Sequence, residues 1–178
     1  MTISEVSAMR SFICGLLLLI SSSSAIAMQR EYTMGGLNLV IKEVKSSGVV
    51  ILEIKNSSQE PIKVWEEANS WGAAHWRVVL IRDGRLKTFF EEPDQGFTRN
   101  IPAFKEIAAG GHIDRELNIA GEGWRRADAQ KVSFERGDVL IVIYDVPKPE
   151  IWPEAPITVE VSKMGVWYGV ATVLTTVK

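Results

Sequence analysis

The amino-acid sequence predicts an all-β domain, an antiparallel sandwich of about eight to ten strands with at most one short helical turn. Three observations carry that expectation. Apolar residues alternate with polar ones along most of the chain beyond residue 36, as they do in a strand with one buried face. Clusters of Gly, Asn, Asp, Ser and Pro break the alternation at short intervals, and β-branched residues dominate between them. Beyond the N-terminal segment, no stretch repeats its apolar residues at helical spacing.

Leu37, Leu39 and Ile41 form the inward row of the first run, against Asn38, Val40 and Lys42. Val50, Leu52 and Ile54 continue the pattern, and residues 56–61 (NSSQEP) supply a turn. Ile62 and Val64 begin a short strand. Trp76, Val78 and Leu80 make the next inward row, which Asp83-Gly84 joins as a hairpin to residues 85–90. Residues 102–107 are read as the single helical turn. Ile113, Arg115, Leu117 and Ile119 then alternate with His112, Asp114, Glu116 and Asn118. Val132 and Phe134 read as a short strand, and residues 139–144 (VLIVIY) as one buried on both faces. Ile157, Val159 and Val161 alternate again, and residues 166–177 close the chain as strand. Loops are expected at 91–96, 120–130 and 147–156.

Composition narrows the class further. A hydrophobic share of 46% with 24% charged residues excludes a disordered tail, a collagen-like repeat and a polytopic membrane protein. Net charge is −2 and the pI is near 5.8, so no basic surplus points to nucleic acid.

The first 27 residues predict a cleaved signal peptide. Residues 12–20 (FICGLLLLI) are an apolar run too short to cross a bilayer, which takes roughly 20 helical residues. Arg10 precedes the run, and a serine stretch and Ala25-Ile26-Ala27 follow it, the small-residue pattern of a cleavage site. Because Glu5 is out of keeping with a basic leader, Met9 is an alternative initiator to Met1. Cleavage removes Cys14, the only cysteine, and leaves residues 28–178 as one domain without a disulfide, secreted or periplasmic and not inserted in the membrane. A chain of about 150 residues buries roughly 68–70% of its unfolded surface, enough for a core to hold it.

The turn chemistry carries a resemblance. A strand ending in Lys55-Asn56-Ser57-Ser58, a following Glu60-Pro61-Ile62, and Ile107-Ala108-Ala109-Gly110-Gly111 ahead of a later strand resemble secreted bacterial immunoglobulin-like β-sandwich domains. The BsuPI-type proteinase-inhibitor domain is similar in this way over roughly residues 37–119. Ala109 stands where that pattern has proline, and the Trp-rich segment 65–76 has no counterpart in it. The resemblance implies an immunoglobulin-like layout and an inhibitor-like role.

Signatures of common enzymes are missing: the sequence has no G-x-S-x-G, H-E-x-x-H, Walker A loop or dinucleotide fingerprint. No cofactor is expected. His75, beside Trp76, reads either as an orienting base or as a loop-edge residue packed on an indole. His112, Asp114 and Glu116 share one strand face, which makes them either a solvated row or a metal-ligand set. Glu91, Glu92 and Asp94 put three carboxylates in one loop, as calcium requires, although the EF-hand spacing is absent. Asn56-Ser57-Ser58 is an N-glycosylation sequon.

Six tryptophans are the richest signal. Trp76 belongs to a core strand, Trp65 to one end of the core, and Trp152 to a Pro-rich latch. Trp71 and Trp124 read as loop indoles, with Arg125 beside the latter, suited to stacking on a ligand, although Trp124 reads equally as a lid over the core end. Trp71, Trp124 and Arg125 are therefore the candidate ligand contacts. The expected function is non-catalytic: an exported module that engages an extracytoplasmic protein or peptide through end loops. A carbohydrate-binding module using the loop tryptophans, and a secreted hydrolase using His75 or the His112 row, are the alternatives.

Overall fold

The computed structural model describes residues 30–32, 35–66, 72, 74–92, 103–126, 132–148 and 163–178. The expected signal peptide and the strand expected at 157–161 lie outside them. Every named element is a strand: β1 (Arg30–Tyr32), β2 (Leu37–Lys45), β3 (Val49–Asn56), β4 (Ile62–Trp65), β5 (Trp76–Arg82), β6 (Arg85–Glu91), β7 (Phe104–Ile107), β8 (His112–Asn118), β9 (Trp124–Arg126), β10 (Val139–Val146) and β11 (Gly169–Thr176). They form three antiparallel sheets, a six-stranded one in the order β1-β11-β10-β5-β6-β9, a three-stranded β2-β3-β8 and a two-stranded β4-β7. The described residues are thus all-β, and the inward rows of their sheets meet in one hydrophobic core.

β10 is central in the large sheet, and its sequence explains why. It is paired with β11 along its whole length and with β5 from Val139 to Tyr144. Leu140, Val142 and Tyr144 are buried on the inner face, and Ile141 is also buried on the other. Only a run that is apolar at consecutive positions tolerates that placement. Trp76, Val78 and Leu80 of β5 lie beside it in register, as the alternation required. Asp83 (φ 50°) and Gly84 (φ 71°) turn β5 into β6 with left-handed backbone at both positions, the two-residue loop that matches strand twist.

In the three-stranded sheet, β2 departs from strict alternation. Its register against β3 shifts between Ile41 and Glu43, leaving Lys42 as the bulged residue. The extra residue restores parity, so Val44 packs on the core as Leu37 and Leu39 do. At the end of β3, Asn56 is wholly buried. Its Nδ2 donates to the carbonyls of Glu60 (2.8 Å), Ile107 (3.0 Å) and Ala108 (3.2 Å), and its Oδ1 accepts from the amide and hydroxyl of Ser58. One amide therefore ties the 56–61 turn to the end of β7. The nitrogen that a glycan would occupy is inside the protein, so a glycosylated Asn56 is incompatible with this fold.

Three sequence expectations are corrected. Residues 104–107 are strand, paired with β4 from Ile62↔Ile107 to Trp65↔Phe104, and not a helical turn. A tetrapeptide has too few residues to repay helix nucleation, whereas pairing with β4 satisfies its backbone at once. The expected 120–130 loop contains β9, held to the edge of β6. Val132 and Phe134 are buried but belong to no strand. Their segment is held by Arg82, whose Nε and Nη2 donate to both oxygens of Asp138 (2.8 and 2.6 Å), while Nη1 reaches Glu135 and Nη2 the carbonyl of Ser133. The Asp138 carboxylate, only 3% exposed, also accepts from the amide of Glu135.

Two predictions follow from these side chains. Hydrogen bonding to Arg82 is the main cause that holds the Asp138 carboxyl below its ordinary value of 3.8. Its contribution to stability is complete above that value and is lost as pH falls through the lowered one. The melting temperature of the native protein should therefore fall more steeply below about pH 4 than that of Asp138→Asn. Asn56→Asp, which turns a carboxylate oxygen toward three carbonyls, should lower unfolding free energy in urea by about 3 kcal/mol.

Candidate functional site

At one end of the core, where residues of all three sheets converge, lies an open groove of about 410 Å³. Ile54, Val64, Trp65, Ile113 and Tyr144 supply its apolar surface, and Glu66, Glu91, Lys105, Asp114 and Arg115 its charges. Alternation explains this mixture. Arg115 occupies an inward position of β8, in the same row as Ile113 and Leu117, so its guanidinium extends between the sheets. There it donates to Glu91 Oε1 on β6 at 3.0 Å, a charged bond that links the three-stranded sheet to the six-stranded one. Both side chains are largely shielded from solvent, at 28% and 15% exposure, which strengthens their attraction and raises the cost of removing either.

An aromatic cluster underlies the groove. The Tyr144 ring lies 4.5 Å from that of Trp76, stacks on Trp167 at 5.9 Å, and meets His75 edge-on at 6.2 Å. Trp76 is a core residue, as its strand position required, and Trp65 is buried at the end of β4. Among the described residues, His75 packs edge-on against the Tyr144 ring and not, as expected, on an indole.

Of the three candidate contacts, Trp71 lies outside the described residues. Trp124 and Arg125 are consecutive residues of β9, so their side chains point to opposite faces. Trp124, across from Glu91 in the ladder, is half-buried and packs on the core. Arg125 faces outward with its guanidinium 5.8 Å from the ring of Phe90 and 3.6 Å from Glu92. Arg77 approaches the same ring at 6.0 Å, leaving Phe90 36% exposed between two arginines.

The acidic loop divides in a similar way. Glu91 faces Arg115 and Glu92 faces Arg125, while Asp94 and Trp152 lie outside the described residues. His112, Asp114 and Glu116 are all exposed on the outer face of β8, as the alternation required. The third group that converges on His112 and Asp114 is not Glu116 but Glu53 of β3.

Sequence reasoning did not identify the groove, yet one signal was visible. Arg115 is the sole charged residue in an otherwise apolar row, and a buried charge needs a partner. That the partner is Glu91 depends on how the sheets pack, which the local pattern does not encode. Comparison of the chain with protein-family models, with curated proteins and with solved structures finds no match.

The bond between the sheets yields a measurable coupling. In a double-mutant cycle of Glu91→Gln and Arg115→Met, urea unfolding should give an interaction energy of about 1–2 kcal/mol.

Proposed function

We propose that this chain is an exported, non-catalytic binding module that engages a protein or peptide partner at the grooved end. In this reading the leader is removed after Ala27, and residues 28–178 act outside the cytoplasm as an immunoglobulin-like sandwich. The observation that carries the reading is the groove itself. It is a concave, largely polar surface in which charges of both signs converge around a small apolar floor, a composition suited to recognising a charged partner. Charged groups of the partner meet Lys105 and Glu66, over the edges of the apolar floor. Trp124, beside Glu91 on the neighbouring ladder, extends the contact surface. Aromatic and arginine side chains are the residue types that concentrate binding energy at interfaces.

Panning a random-peptide library against the protein tests the reading. Selected peptides should bind Lys105→Glu and Glu66→Lys roughly tenfold more weakly than the native protein, while the melting temperatures stay within a few degrees. Binding that is unchanged in both variants and in Trp124→Ala would refute it.

A further inference from the structure

We propose that Glu53, His112 and Asp114 form a binding site for a divalent transition ion of the zinc type on the outer face of the three-stranded sheet. The site rests on the ladder between β3 and β8 and shares Asp114 with the rim of the groove. Glu53 and Asp114 are direct cross-strand partners, and His112 pairs with the adjacent Lys55. His112 and Asp114, two residues apart on one strand, project from the same face. One imidazole nitrogen and two carboxylate oxygens consequently lie within 4.8 Å of one another.

Geometry and donor chemistry select the ion. Bonds of 2.0–2.2 Å to a tetrahedral zinc put neighbouring ligand atoms about 3.4 Å apart. His112 Nε2 and Glu53 Oε1 are already at 3.7 Å, so small side-chain rotations close the set. His112 and Asp114 are exposed and free to make those rotations, whereas Glu53 is held at 15% exposure as the fixed member. An imidazole ligand favours zinc, copper or nickel over calcium or magnesium, which take oxygen alone. Three protein ligands leave further positions on the ion for water.

Lys42 provides an internal control. Its ammonium lies 2.6 Å from Glu53 Oε1, where it competes with a metal ion for the same oxygen. Lys42 is the bulged residue of β2 and lies on the outward row of that strand. Lys55 adds a second positive charge nearby, and Glu116 a negative one farther along the His112 row. Background binding is low, because the whole chain has two histidines and one cysteine.

The test titrates zinc chloride into untagged, EDTA-dialysed protein by calorimetry and follows the histidine ring nitrogens by NMR. Saturable binding should shift the His112 ring signals and leave those of His75 in place. His112→Ala should abolish binding, and Asp114→Asn should weaken it roughly tenfold. Lys42→Met should tighten it, because the competing cation is gone, and calcium chloride should produce no heat. Melting temperatures measured in EDTA should match that of the native protein for His112→Ala and Asp114→Asn, whose side chains face solvent. No zinc binding, binding that survives His112→Ala, or shifts confined to His75 would overturn the proposal. An affinity unchanged in Asp114→Asn or in Lys42→Met would overturn the three-residue set.

Discussion

The pairing of β10 on both sides is the constraint on which the other elements depend. Once residues 139–146 are fixed between β5 and β11, their alternation determines which side chains enter the core. Leu140, Val142 and Tyr144 then face inward together with Trp76, Val78, Ala171 and Val173. A slip of one residue would exchange that row for Val139, Ile141, Ile143 and Asp145, placing a carboxylate in the core and an aromatic ring in water. Tyr144 gains most from the correct register. It joins the aromatic cluster from below and contributes to the groove from above.

Where the fold was legible in the sequence, the information was local. The two-residue Asp83-Gly84 loop, the alternating rows of β3, β5 and β8, and the continuous apolar run of β10 each follow from neighbouring residues. The errors fall where distant partners decide the conformation. Residues 104–107 have weak preferences of their own and become strand because β4 offers them a ladder. Val132 and Phe134 imitate a strand because both are buried, yet what holds their segment is a guanidinium from the end of β5. β9 was hidden for the opposite reason: it is only three residues long and follows a glycine-rich stretch.

The same division applies to the sites. That His112, Asp114 and Glu116 share a face could be read from spacing, but the convergence of Glu53 with two of them depends on the register between β3 and β8. An arginine in the inward row of β8 was visible as an anomaly, while its carboxylate partner lies on another sheet. Trp124 and Arg125, grouped as one contact by their adjacency, are separated by the pleat of β9. Trp76, Tyr144 and Trp167 nevertheless gather into one cluster with His75 at its edge. Several of them form the support beneath the groove and are not themselves displayed.

The bulge in β2 has an effect beyond the core. β2 is an outer strand of its sheet, and an outer strand offers unsatisfied amides and carbonyls to any other extended chain. A regular, flat margin of this kind invites molecules to stitch together edge to edge into aggregates. The kink at Lys42, with its charged side chain, interrupts that seam midway along the strand. The irregularity that returns Val44 to the interior therefore also helps to keep one molecule apart from the next.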